Sequence, residues 1–84
     1  MGEYQDAFDN HVRAKLEASF GKAVGMLILA SASNKSGAAT MGIGADEYAR
    51  LCDAIAEDER VVGMWGASGA QDALEQWKSA AEIS

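Results

Sequence analysis

The sequence contains no proline, one cysteine and one histidine among its 84 residues. A lone cysteine cannot form an intramolecular disulfide, and a structural zinc site needs about four cysteine or histidine ligands, so both kinds of cross-link are excluded. Small domains that lack such cross-links depend on close helix packing or on association. We therefore expect one domain spanning residues 1–84, with no metal and no cofactor.

Long apolar runs are also missing. The longest, residues 23–32, is about half the length of the roughly 20 residues that span a bilayer. The N-terminus carries no basic segment ahead of an apolar one, so it does not resemble a secretory signal. These features predict a cytoplasmic protein that has no membrane partner.

Basic residues are scarce in the second part of the chain. Residues 1–35 contain four acidic and four basic residues, whereas residues 36–84 contain nine acidic residues and three basic ones. The net charge of −6 therefore lies wholly in residues 36–84. A surface of this sign repels phosphate groups, so we expect no nucleic-acid partner.

The composition that remains favours helices. Alanine, the best helix former, accounts for 17 residues, and β-branched residues are few. The clearest helix is predicted over residues 4–20, where apolar residues recur every four positions up to a break at Gly21. The residues of this stripe are Tyr4, Phe8, Val12, Leu16 and Phe20.

Residues 22–33 are apolar on every side, so periodicity does not distinguish a buried helix from a buried strand. We favour a helix, in which Gly21 and Gly25 provide small contacts for a close neighbour. That neighbour is either another helix of the same chain or a second copy, which makes these glycines candidates for self-association. The alternative is an α+β fold with a small three-stranded sheet. Its strands are residues 24–32, 38–43 and 61–65.

A third helix is predicted to begin at Gly44 and to run to about Glu57. Glycine is tolerated at a helix N-cap, and the two acidic residues that follow suit the positive end of the helix dipole. Apolar residues then recur at i, i+3, i+4 and i+7, as on the buried face of a helix. They are Tyr48, Leu51, Cys52 and Ile55.

Two more helices complete a compact all-α bundle of four to five helices, some of them short. Asp58 can cap a short helix over residues 59–65, which Gly66 ends. Ser68 and Gln71 fit a capping box at the start of a last helix over residues 69–82. The apolar residues of that helix are Ala70, Leu74, Trp77 and Ala81.

The residues capable of chemistry are isolated from one another in the sequence. His11 has no neighbour that would position it as a general base, so we interpret it as a surface or half-buried structural histidine. Cys52 lies among apolar and acidic residues, which do not favour a thiolate, so we interpret it as a core residue. Gly42 and Gly44 precede a helix, but the acidic residues of its first turn repel phosphate. No enzymatic activity is expected.

One segment is the best candidate for binding a partner. Met64 and Trp65 lie between two glycines. We favour an interpretation in which Trp65 packs into the core beside Trp77, but tryptophan is also enriched at binding hot spots. The preceding acidic residues lack the spacing of a calcium loop, and they could attract a basic protein surface. They are Glu57, Asp58 and Glu59.

These features predict a non-enzymatic protein–protein interaction or assembly protein, such as an adaptor, an inhibitor or a structural accessory subunit. Its partner would be another protein or a second copy of itself. An accessory protein of a phage or mobile element fits this profile as a hypothesis. The alternative is a helix-turn-helix DNA-binding module. Its recognition helix, residues 70–78, would turn Asp72 and Glu75 towards phosphates, so we rank it second.

Overall fold

Helices cover most of the residues that the structure, a computed structural model, describes, namely residues 3–40 and 42–81. Those residues form no strand, so the all-α prediction is confirmed and the alternative small sheet is wrong. Residues 24–32 and 61–65, assigned to strands in that alternative, are helical. The helices are α1 (Glu3–Ala7), a π-helical segment (Phe8–Arg13), α2 (Ala14–Phe20), α3 (Lys22–Ser36), α4 (Ala45–Ala56) and α5 (Glu59–Ala81).

The first three of these elements form one continuous rod that carries the apolar stripe. A repeat of four residues is longer than the 3.6-residue turn of an α-helix, so the stripe would rotate by about 40° at each step. A π-helical turn, bonded from i to i+5, takes more residues per turn and returns the stripe to the core side. Phe8, Val12 and Leu16 are fully buried, and Tyr4 and Phe20 pack against the core.

Two glycines form corners at which one helix follows another without a loop. Gly21 lies between α2 and α3 with φ 85° and ψ 165°, a conformation that is essentially restricted to glycine. Gly66 has nearly the same conformation, φ 79° and ψ 161°, and divides α5 into two parts. The aromatic residues that precede the corners, Phe20 and Trp65, have ring centroids 5.9 Å apart. The two corners therefore pack against each other.

The start of the last helix differs from the prediction. Gly66 ends the short helix, as expected, but the next helix begins directly at the same residue. Ser68 therefore lies inside a helix, and the predicted capping box of Ser68 and Gln71 is wrong. The glycine corner, and not a capping box, therefore marks the start of the last helix.

The other two predicted helix starts are confirmed. Gly44 is the N-cap of α4, and its backbone N–H donates to Oε1 of Glu47 at 3.1 Å. Asp58 caps α5, where its Oδ1 accepts the backbone N–H of Arg60 at 2.8 Å. These side chains satisfy N–H groups that have no partner within the helix.

The core lies where α4 packs between α3 and α5. Its fully buried side chains include Ile28 of α3, Leu51 and Ile55 of α4, and Val61 of α5. No charged side chain is buried among the described residues, so apolar packing is the main stabilising contribution. The hydroxyl of Tyr48 donates to the carbonyl oxygen of Trp77 at 2.6 Å, which joins α4 to α5.

The connection between α3 and α4 is attached to α1 by one side chain. Nε2 of Gln5 donates to the carbonyl oxygen of Thr40 at 3.2 Å, and its Oε1 accepts the backbone N–H of Ile43 at 3.3 Å. Both ends of the amide are therefore used, and the connection is held where Ile43 is buried.

We predict that Gly66→Ala lowers the free energy of unfolding by about 1–3 kcal/mol, because its backbone conformation strains any residue with a β-carbon. Gly63→Ala is the matched control. Gly63 is helical, and apart from its chain neighbours and its own helix backbone no atom lies within 4 Å of where its β-carbon would be. Gly63→Ala should raise the free energy of unfolding by about 0.5–1 kcal/mol. Urea denaturation measures the free energy of unfolding of both variants. Similar effects of the two changes would contradict the glycine-specific backbone conformation at Gly66.

Candidate functional site

His11 and Cys52, the single histidine and the single cysteine of the chain, lie apart from each other. His11 is exposed on the π-helical segment, and Cys52 is buried in α4. The interpretations of His11 as a surface residue and of Cys52 as a core residue are therefore confirmed. Within the described ranges 3–40 and 42–81, no three histidine, cysteine, aspartate or glutamate side chains come together in a group that could hold a metal ion.

The surroundings of Cys52 suppress its reactivity. Burial raises the pKa of the Cys52 thiol to about 12, and the nearby carboxylate of Asp53 adds to the increase. Burial raises the pKa of the neighbouring Tyr48 hydroxyl as well. At neutral pH both groups remain protonated, so this pair supplies no nucleophile in the folded state.

We predict that iodoacetamide alkylates Cys52 at least about 100-fold more slowly in the folded protein than in the unfolded chain, because the thiolate is the reactive form. Mass spectrometry at pH 8, with and without denaturant, measures the two rates. A folded-state rate within a factor of ten of the unfolded rate would show that the thiol is accessible and ionised.

Trp65, a candidate for partner binding, faces inwards and is half-buried. Its ring packs edge-on against Trp77, with centroids 6.0 Å apart, and its Nε1 donates to Oγ of Ser19 at 3.1 Å. Nζ of Lys15 lies 4.9 Å from the ring centroid, within range of a cation–π interaction. These contacts agree with the favoured interpretation, in which Trp65 packs beside Trp77.

Met64 points the other way. Its side chain is 56% exposed, although the next residue is half-buried. The two neighbours that the sequence grouped as one patch therefore differ in exposure, and Met64 is the more available of the two to a partner.

The acidic segment is largely engaged within the chain. Oε1 of Glu57 lies 3.3 Å from Nζ of Lys35 on α3. Asp58 receives the guanidinium of Arg60 on both carboxylate oxygens, at 2.9–3.0 Å, in addition to its role as N-cap. Glu59 is exposed. Asp58 thus has a structural role, whereas Glu57 and Glu59 are exposed, and an exposed ion pair such as that of Glu57 contributes little to stability.

Hydrogen bonds from Arg60 hold the pKa of Asp58 below its ordinary value. A carboxyl with a lowered folded-state pKa contributes stability above its unfolded pKa, and this contribution is lost as the pH falls through the folded pKa. We predict that Asp58→Ala lowers the free energy of unfolding by about 1 kcal/mol at pH 7. The difference in free energy of unfolding between the natural protein and this variant should shrink as the pH falls below about 4.

Thermal unfolding of the natural protein and of Asp58→Ala between pH 2 and 7 measures how this difference depends on pH. Asp72→Ala is the control, because Asp72 is exposed on α5 and makes no ion pair with another described residue. It should produce a pH-independent difference. A constant difference for Asp58→Ala would contradict the capping interaction.

The two glycines considered for self-association make contacts inside the chain. Gly21 forms the corner between α2 and α3. Gly25 is buried against α2, where a β-carbon would lie 3.6 Å from the carbonyl carbon of Leu16 and 3.6 Å from Cγ of Glu17. Gly25 is therefore covered by its own chain, as expected for tight packing of a neighbouring helix, whereas Gly21 is exposed at the corner.

The opposite side of α3 is exposed and apolar, and the sequence did not single it out. Val24, Met26 and Leu27 are 37%, 56% and 57% exposed. Ala23 and Ala30 are exposed as well and lie one turn on either side of Leu27. We call these five residues the outer face of α3.

The outer face of α3 extends to neighbouring elements on both sides. On one side, Oγ of Ser31 accepts a hydrogen bond from Nη2 of Arg60 at 3.0 Å, and the exposed Met64 follows one turn after Arg60. On the other side, Met26 and Ala30 help to line an open groove of about 370 Å³ that ends at Arg13 of the π-helical segment.

A signal for this surface was present in the sequence. Residues 23–34 contain no ionisable side chain, in a chain of which 24% is charged. A helix that is apolar all round is ordinarily buried all round, so the sequence predicts burial on every side of this segment. Among the described residues, α2 and α4 cover its inner side.

None of the helices among the described residues is long and apolar enough to cross a bilayer. No protein-family model, curated protein or solved structure matches the chain.

Proposed function

We propose that this chain is a non-enzymatic protein–protein interaction or assembly protein that binds its partner through the outer face of α3. The exposure of Val24, Met26 and Leu27 carries the proposal. Single exposed apolar residues are common on proteins, but neighbouring ones on a single helix face mark a site of association.

The energetic reason lies in the cost of leaving this face in water. Burial of apolar surface is favourable by about 25 cal/mol for each Å². Covering the methionine and leucine side chains would therefore offset part of the entropy lost on association. Methionine suits such a surface, because its flexible side chain adapts to the shape of a partner.

The proposal revises which residues bind the partner. Of the segment expected from the sequence, Met64 stays as an edge of the surface, whereas Trp65 and Asp58 make contacts that support the fold. Glu57 and Glu59 are exposed and stay candidates for contact with a partner. The cytoplasmic location and the origin in a phage or mobile element are kept as hypotheses that accompany the proposal.

The DNA-binding alternative gains no support from the exposed surface of α5. Asp72 and Glu75 are exposed there, as the sequence predicted for a recognition helix over residues 70–78. Lys78, the one basic residue of that segment, pairs with Asp53 of α4 at 3.2 Å. We therefore rank this function below protein binding.

Photo-crosslinking in the native host tests the proposal. A photoreactive amino acid at position 27, in the middle of the outer face of α3, should yield a discrete crosslinked protein species on illumination. The control carries the same amino acid at Gln71, which is exposed on α5. Crosslinking at position 27 no stronger than at position 71 would contradict binding through this face.

A further inference from the structure

We propose that the partner covering the outer face of α3 is a second copy of this chain, so that two α3 helices pack across a two-fold axis close to Leu27. This inference rests on the proposed function, because it names the occupant of the same surface.

Charge is the first argument for a second copy. Each chain carries a net charge of −6, which opposes contact between two copies over most of their surface. The outer face of α3 lies within residues 23–34, which have no ionisable side chain, between Lys22 and Lys35. Two copies can therefore meet here without bringing like charges into direct contact.

The same absence of charge argues against a strongly charged partner. A basic protein would be attracted to the exposed acids of α4 and α5, such as Asp46, Asp72 and Glu75, which lie on other helices. An acidic protein would find no basic side chain within residues 23–34. The basic residues that border the face, Arg13, Lys35 and Arg60, each pair with an acidic residue of the same chain. The chemistry that matches this face is another uncharged, apolar helix face, and this chain offers one in every other copy.

The shape of the face suits a symmetric helix pair. Ala23, Leu27 and Ala30 follow the spacing i, i+4 and i+7, so they lie along one side of α3. In a two-fold pair each copy presents the same patch to the other, and a central residue contacts its own equivalent. The two alanines allow the helix backbones to approach, because the distance between helix axes depends on the side chains at the contact.

Larger side chains border this central contact. Met26 and Val24 lie on opposite flanks of Leu27 by their positions on the helix, and both are exposed. The exposed Met64 lies one turn after Arg60, which is bonded to Ser31 of α3. A single helix face with these additions is small for an interface, so we expect a dimer that dissociates on dilution. Salt should strengthen it, because screening reduces the repulsion between two acidic copies and does not weaken apolar contact.

Sedimentation equilibrium over about 5 µM to 1 mM tests the dimer, with the 8.8 kDa mass as the monomer reference. The apparent mass should rise towards twice that value, more steeply at 0.5 M than at 0.05 M salt. Leu27→Glu should raise the dissociation constant at least about tenfold. Gln71→Glu adds the same charge at an exposed position of α5, and it should change the dissociation constant by no more than about a factor of two.

Disulfide trapping gives a second readout that does not depend on a disruptive change. Leu27→Cys adds a thiol to the outer face of α3, and the natural Cys52 is buried and does not compete. Under mild oxidation Leu27→Cys should form a linked dimer rapidly, whereas Gln71→Cys should remain mostly monomeric. Similar yields for the two variants would overturn the proposed contact.

The outcomes separate this inference from the proposed function. A chain that stays monomeric at 1 mM, or a dimer unaffected by Leu27→Glu, overturns the second copy as partner. If position 27 then still crosslinks to a different protein in the host, the proposed function stands without the dimer. If position 27 crosslinks to nothing, both fail.

Discussion

Two glycine corners packed against each other determine the arrangement of the helices. At Gly21 and Gly66 the backbone takes a conformation that residues with a β-carbon avoid, and one helix follows another with no loop between them. Each corner is preceded by an aromatic residue, Phe20 or Trp65, and the two rings are in contact. Trp77 completes this aromatic cluster from α5. The direction of α3, and so the orientation of its two faces, follows from the first corner.

The exposed face of α3 is a consequence of this arrangement. A helix leaving the Gly21 corner packs its glycine and large aliphatic side chains against α2 and α4. The chain has no further helix among the described residues to cover the other side, because α5 packs on α4 and the first rod. A small chain buries a smaller fraction of its surface than a large one, and here Val24, Met26 and Leu27 of this helix remain in contact with water. Association is the physical means by which such a face leaves water.

Much of the fold was predictable because its signals are local. The stripe from Tyr4 to Phe20, the break at Gly21 and the caps at Gly44 and Asp58 each depend on residues within one or two turns. The capping box at Ser68 was also a local signal, yet it failed because Gly66 had already redirected the chain. The π-helical segment was implicit in the four-residue repeat, which an α-helix cannot keep on one side. The hydrogen bonds of Gln5 to the connection before α4 join residues 35 and 38 positions apart, and no local pattern indicates them.

The sequence by itself determined the predominance of helix, most helix boundaries, the acidic second part and the buried faces of the first and third helices, because these depend on composition, periodicity and capping between near neighbours. Only the tertiary structure decided which apolar residues remain in contact with water. Trp65 and Met64 are adjacent in the chain, yet one packs inwards and the other is exposed. Likewise, Gly25 is enclosed while Leu27, two residues later, is not. Apolar character states that a side chain favours burial, but whether a neighbour reaches it depends on how the helices pack in three dimensions.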